Sequence, residues 1–220
     1  EILPSLMPVI HTIVNKSLQM SQMPPQLKRA IVKPILKKPS DDSETMKNYR
    51  PVSNLPYISK IIEKVAVDQL DAYLTDHDLH EPLQSAYRTN HSTETALVKV
   101  SNDILLALDE RKCVYLVLLD LSAAFDTIDH DLFLSRLKNE NAVVGDALQW
   151  MQSYLSGRHQ CVNINSTSSE HLPLKYGFPQ GSTIGPFGFK LYTKSLTEIA
   201  HKHQINIHLY ADDTQLYTSF

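Results

Sequence analysis

Two adjacent aspartates, Asp212 and Asp213, stand between apolar residues on both sides: Ile205, Ile207 and Leu209 before them, Leu216 and Tyr217 after. The pattern predicts a strand, a tight turn and a second strand. Paired carboxylates are a poor structural choice for such a tip, because they repel each other and disfavour the strand. Asn-Gly or Asp-Gly would turn the chain better. They make sense where a divalent cation sits on them. A second segment points the same way. Cys113 to Leu119 is an apolar, largely β-branched or aliphatic run, read as a buried strand, and it delivers Asp120 at its end. Asp120 with Asp212 and Asp213 forms a plausible magnesium site, since Mg²⁺ takes hard oxygen ligands, one or two carboxylates and substrate phosphates.

The chain has 220 residues, 42% of them hydrophobic, enough for one large domain or two small ones with a real core. No apolar run approaches the roughly 20 residues that span a bilayer, and no basic-then-apolar leader opens the sequence. Cys113 and Cys161 fall in strand-like segments and read as two buried free thiols of a reducing, intracellular compartment; nucleus and cytoplasm are both compatible. The net charge of −3 argues mildly against a protein coated in nucleic acid. Yet Lys28, Arg29, Lys33, Lys37 and Lys38 cluster early in the chain, and a local basic face can bind phosphates on a chain of neutral average charge.

The coarse order of elements is mixed. A helix-like pattern runs from Leu3 to Leu18 and ends by Met23-Pro24-Pro25. A strand with interleaved basic residues, Arg29 to Lys37, pairs across a polar loop with Tyr49 to Ser53. A long amphipathic helix carries Ile58 to Leu74. Glu81 to Asn90 is irregular, and Ser92 is a fair N-cap for a helix reaching Leu108. Helices are expected near 131–140 and 145–156, strands at 159–165 and 170–177, and one helix from about 184 to 203. Asp129 suits a helix N-terminus. Strand pairing of this kind, without strict βαβ alternation, fits an α+β fold. The ten histidines show no zinc-like grouping, and His201, His203 and His208 read as surface residues. The chain opens inside a helix-like pattern and closes inside a strand-like one, as a piece of a longer protein would.

Three ordered segments carry a resemblance: Leu119 through His130, Gly177-Phe178-Pro179-Gln180-Gly181-Ser182, and Tyr210-Ala211-Asp212-Asp213. They resemble motifs A, B and C of reverse transcriptases. Asn48-Tyr49-Arg50-Pro51-Val52-Ser53 and Gln84-Ser85-Ala86-Tyr87-Arg88 are similar to finger-region motifs of the non-LTR, LINE-type branch. The resemblance implies a right-hand α+β polymerase fold, with fingers over 25–112 after an N-terminal helical segment at 1–24. The palm would be an antiparallel sheet packed on helices at 113–220, and a thumb would follow residue 220. It implies an RNA-directed DNA polymerase of a retrotransposon, with RNA template, DNA primer and deoxynucleoside triphosphates as partners and no membrane.

The resemblance also implies roles. Asp120, Asp212 and Asp213, with the backbone of Leu121, would hold two Mg²⁺ ions (or Mn²⁺ in their place) about 3.5–4 Å apart, Asp212 ranking above Asp213. Phosphoryl transfer needs positioning and charge more than covalent help. Phe125 would be the steric gate against a ribose 2′-hydroxyl. Gln180 and Gly181 would meet the nucleotide, where glycine permits close backbone approach. Arg50, Lys33 and Lys37, with Lys38 beside them, would clamp the triphosphate. Arg88, Tyr210 and Ala211 would face template and primer. Phe178 stands where a small aliphatic residue is usual and would crowd the nucleotide pocket; Gly188 replaces a common Leu. A truncated, non-catalytic remnant that at most binds nucleic acid stays open as an alternative. An RNA-synthesising polymerase is the weaker third reading, against which Phe125 and Tyr210-Ala211 stand. Without a thumb, 220 residues are expected to extend primers poorly.

Overall fold

The fold is known from a computed structural model that describes residues 3–121 and 123–220. Ser122, inside the first acidic segment, lies outside the described residues, as do Glu1 and Ile2. In chain order the elements are α1 (Leu3–Gln19), β1 (Arg29–Leu36), β2 (Tyr49–Asn54), α2 (Tyr57–Asp76), α3 (Thr93–Asp109), β3 (Val114–Asp120), α4 (His130–Asn139), α5 (Gly145–Leu155), β4 (His159–Ile164), β5 (Thr167–Ser168), β6 (Leu172–Pro173), α6 (Ile184–Thr193), α7 (Ser195–Lys202), β7 (Asn206–Tyr210) and β8 (Asp213–Ser219). No helix among the described residues is long and apolar enough to cross a membrane.

The chain divides into two compact units that do not follow chain order. The first takes Glu1–His77 with Phe125–Gly185, the second Asp78–Ala124 with Pro186–Phe220. In the first unit β1 and β2 pair antiparallel from Ile31↔Asn54 to Leu36↔Tyr49, the hairpin that the interleaved basic pattern implied. β1 also pairs parallel with β4, a pairing no local pattern announced. Helices α1, α2, α4 and α5 supply the apolar interior, including Ile62, Leu74, Phe133, Leu137, Met151 and Tyr154. The Trp150 indole stacks on Tyr154 with centroids 5.7 Å apart and donates to the Ser17 hydroxyl, which ties α5 to α1.

In the second unit β3, β8 and β7 form an antiparallel sheet in that order. Cross-strand rows define its faces, because directly opposed residues share a side. One face carries Ile207 and Leu209, packed with Ala200 of α7 and with Leu196, Ile205 and Leu216 around them. The other carries His208 and Tyr217; the Tyr217 hydroxyl donates to Asp103 of α3. Ser92 caps α3 in a reciprocal capping box with Thr95, satisfying two otherwise orphaned amides.

Several expectations change. β3 forms where the apolar run lies, but it is not buried: Tyr115 and Leu118 are 66% and 70% exposed. It sits at the sheet edge, paired to β8 in the described residues; apolar β-formers specify the strand, not its cover. Cys113 is accordingly exposed, and of the two free thiols Cys161 alone is buried. The expected strand at 170–177 contracts to Leu172–Pro173. The helix expected over 184–203 is broken into α6 and α7 at Lys194. His208 is not a surface residue. Its position on β7 alternates into a covered face, where Ser85 Oγ meets Nε2 at 2.9 Å. Burial, with the Lys99 cation next in weight, holds its imidazole below the usual range. Phe178 is buried, edge-on to Phe133 at 5.3 Å between centroids.

Candidate functional site

The three acids gather at one end of the three-stranded sheet. β3 and β8 pair in register from Val114↔Ser219 to Asp120↔Asp213, and β7 pairs with β8 as far as Tyr210↔Asp213. Tyr210, Asp213 and Asp120 therefore form one row across three strands, with their side chains on the same face. Asp212 sits beside that row, in the two-residue turn from Tyr210 to Asp213. Opposed like charges destabilise a sheet, so the row carries a local cost. The resemblance ranks Asp212 above Asp213, while the register sets Asp213 directly opposite Asp120. Asp120 and Asp213 are exposed and Asp212 is half-buried. The neighbouring Tyr87 phenol is pushed up by burial, then by the charge of Asp212. Leu121 follows β3 directly, and its carbonyl accepts from the Ala124 amide.

The turn itself is unusual. Ala211 has φ +55, a left-handed conformation that costs a non-glycine residue about 1–2 kcal/mol. Gln84 faces it. Its Oε1 accepts from the Ala211 amide at 3.1 Å and from the Ala86 amide at 2.9 Å, while Nε2 reaches the Ala211 carbonyl at 3.5 Å. The backbone on either side is sewn to β7: Leu209 donates to Leu83 O and Ser85 donates to Leu209 O. Arg88, expected against a template, spends Nη1 on the carbonyls of Glu81, Pro82 and Gln84. It braces the loop that carries Gln84.

The other expected residues belong to the first unit. Lys33 and Ile35 alternate onto one face of β1, and Arg50 lies opposite Ile35. Arg50 and Lys33 thus share a face, and Lys37, whose amide extends the ladder to Asn48 O at 2.8 Å, continues it. All three are exposed, as is Lys38. Phe125 is half-buried, with its backbone against the loop of the second motif: the Phe178 amide donates to Phe125 O, and the Gly177 amide donates to Ile128 O. Gly177 has φ +74, and a Cβ there would stand 2.5 Å from Phe125 O, so glycine is required twice over. Downstream, Ser53 donates to Gln180 O at 2.8 Å, and Gly181 at φ +106 runs against Ser53 O. Gln180 Oε1 is buried without a partner. Such an orphan acceptor is costly in a finished core.

Sequence reasoning missed Glu63. It is fully buried on α2, accepting from Ser59 Oγ at 2.8 Å and from the Thr183 amide at 2.8 Å, and it anchors the same loop just before α6. A signal existed: Ser59, Ile62, Glu63 and Ala66 lie at helical spacing on one stripe, so a carboxylate falls on a face that apolar residues otherwise bury. Gln84 was inside a segment singled out for its arginine, with no role given to the glutamine. Asp129, by contrast, caps α4 as expected, accepting from the Leu132 amide.

The donor set of the acidic row suits Mg²⁺ or Mn²⁺: three carboxylates and nearby carbonyls, all hard oxygen. Among the described residues no three His, Cys, Asp or Glu side chains close round an ion.

Residues 35–220 match the family described as reverse transcriptase (RNA-dependent DNA polymerase). The chain is 28% identical over 209 residues to a Drosophila melanogaster protein called probable RNA-directed DNA polymerase from transposon BS, covering 93% of this chain and 23% of that protein. It is 27% identical to the RNA-directed DNA polymerase from mobile element jockey of Drosophila funebris, covering 94% of this chain and again 23% of the relative. It spans about a quarter of either. Among solved structures, apo telomerase from Candida tropicalis superposes with a TM-score of 0.63 at 11% identity, covering 97% of this chain and 44% of that one, a likeness of fold. Match length, motif order and the acidic row agree: this chain belongs to the reverse transcriptase family.

Proposed function

We propose that this chain adds deoxynucleotides to a primer 3′-hydroxyl on an RNA template, as the polymerase segment of a non-LTR retrotransposon protein. The observation that carries the reading is the row Tyr210, Asp213, Asp120 with Asp212 in the adjoining turn, in a chain whose relatives are named RNA-directed DNA polymerases.

Asp120, Asp213 and Asp212 would hold Mg²⁺, with Mn²⁺ as a substitute. Two such ions, when bound, supply the charge that favours the 3′-alkoxide and the leaving pyrophosphate. The rest falls to the chain's own groups. Arg50, Lys33 and Lys37 present cations on one sheet face, where guanidinium takes phosphate oxygens in pairs and lysine acts as a point charge. The Gln180 carboxamide, with its unpartnered oxygen, orients the incoming base or sugar. Phe125, its backbone fixed by Gly177, excludes a ribose 2′-hydroxyl by bulk. Positioning of this kind supplies much of the rate of phosphoryl transfer.

The test is primer extension on an RNA template, by this chain or a longer protein containing it, with Mg²⁺ and labelled deoxynucleotides. Template-directed products that vanish in Asp120→Asn support the reading. Unchanged synthesis in that variant would sink it.

A further inference from the structure

Gln84 is 1% exposed, a polar side chain taken almost wholly out of water. It lies in the same compact unit as the acids, and its carboxamide joins its own loop, at the Ala86 amide, to the turn that carries Asp212. The orientation of that amide is set by its partners. Two backbone N–H groups, those of Ala86 and Ala211, converge on one atom, and only the oxygen can accept from both. Ala211 is also the residue held at positive φ. Such strain persists where the surroundings over-determine it. Here they do: Leu83 and Ser85 flank Gln84 and bond the β7 backbone at Leu209, and Arg88 Nη1 ties the Glu81, Pro82 and Gln84 carbonyls together. The loop also reaches α6 and α7, through Lys190 Nζ on Tyr87 O and Thr197 Oγ1 on Glu81.

The geometry points to Gln84 as a positioning residue that fixes the Ala211 turn and thereby sets where Asp212 and Asp213 present their carboxylates to metal. A turn held by its own i to i+3 bond tolerates a small library of conformations. One whose central amide is bonded to a buried side chain from another segment has a single arrangement. The supporting groups around a metal site commonly matter to affinity nearly as much as the ligands. This role rests on the metal-dependent reading of the acidic row.

The experiment separates the two. Amide hydrogen exchange and Mn²⁺ titration are measured on the 220-residue chain as wild type, Gln84→Met, Gln84→Glu and Asp212→Asn. Methionine conserves shape and volume without accepting hydrogen bonds strongly. In Gln84→Met, exchange at the Ala211 amide should accelerate at least about tenfold while amides in the middle of β8 hold their rates. Mn²⁺ affinity should fall about 10–100-fold. Gln84→Glu keeps the accepting oxygen and should keep the protection at Ala211 and Ala86. The proposal is overturned if Ala211 exchange is unchanged in the Met variant, if protection is lost in the Glu variant, or if the Met variant binds Mn²⁺ within about twofold of wild type. Should the wild type show no Asp212-dependent Mn²⁺ binding, the two-metal reading fails by itself, and Ala211 exchange still decides whether Gln84 fixes the turn.

Discussion

The acidic hairpin and the Gly177–Thr183 loop solve the same problem by different means. In the hairpin, register does most of the work: seven paired residues along β3 and β8 deliver Asp120 opposite Asp213, and one side chain, Gln84, bonds the Ala211 backbone where the ladder ends. The loop has no ladder. It is held by a glycine pressed onto the Phe125 backbone, by the Ser53 amide on Gln180 O, and by the buried carboxylate of Glu63 on the Thr183 amide. Where backbone pairing is regular, side chains are free for chemistry. Where it is not, buried polar groups must substitute for it, and they are costly to disturb.

The comparison breaks most visibly at Asp120. Asp120→Asn should cut nucleotide addition by about 10³-fold or more, since charge stabilisation dominates phosphoryl transfer. It should leave the fold intact and even raise the melting temperature slightly, because an opposed like-charge pair is relieved. Primer extension and thermal melting on the same sample check both halves; a destabilised Asn variant would mean that the row is not the strained element described above.

Gly177→Ala should do the reverse in the loop. A Cβ there meets the Phe125 carbonyl and the Asp126 backbone at a positive φ, so a stability loss of about 1–3 kcal/mol is expected, read as a lower urea midpoint. An unchanged midpoint would show that the loop is not held by close approach. Phe125→Val tests what that approach is for. Relative kcat/KM for ribonucleotides over deoxynucleotides should rise on the order of 10–100-fold, with a modest loss of deoxynucleotide addition. A constant ratio would make Phe125 a packing residue only.

The smallest effect belongs to His208, within the hairpin on β7. Its folded pKa is depressed, so the unfolded chain takes up the proton first as pH falls. Stability is complete above the ordinary value near 6.5 and is lost as pH drops toward the folded value, at about 1.4 kcal/mol per unit of depression. His208→Gln should flatten the melting temperature between about pH 7 and 5. An equal slope in that variant assigns the dependence elsewhere.

Much of this was legible in the residues. The β1–β2 hairpin, the span of α2, the capping of α3 by Ser92 and of α4 by Asp129, and the strand leading to Asp120 each rest on spacing within a short stretch. Motif order singled out the acids, Phe125 and Gln180, and pairing register gathers the acids at one end of a sheet. The exposure of β3 and Cys113, the burial of His208 and Phe178, and the parallel partnership of β1 with β4 were not legible. Each depends on what a distant segment does: whether a face is covered, or which strand arrives alongside.

The sequence alone therefore determined most of the local elements and which charged residues they carry, since propensity, periodicity and charge act over a few residues. The tertiary structure alone decided which acid stands opposite Asp120, that Gln84 and Glu63 hold the two functional segments, and that Gly177 cannot bear a side chain. Those outcomes turn on contacts between residues roughly fifty to more than a hundred positions apart, where register and close approach exist only once the chain has folded.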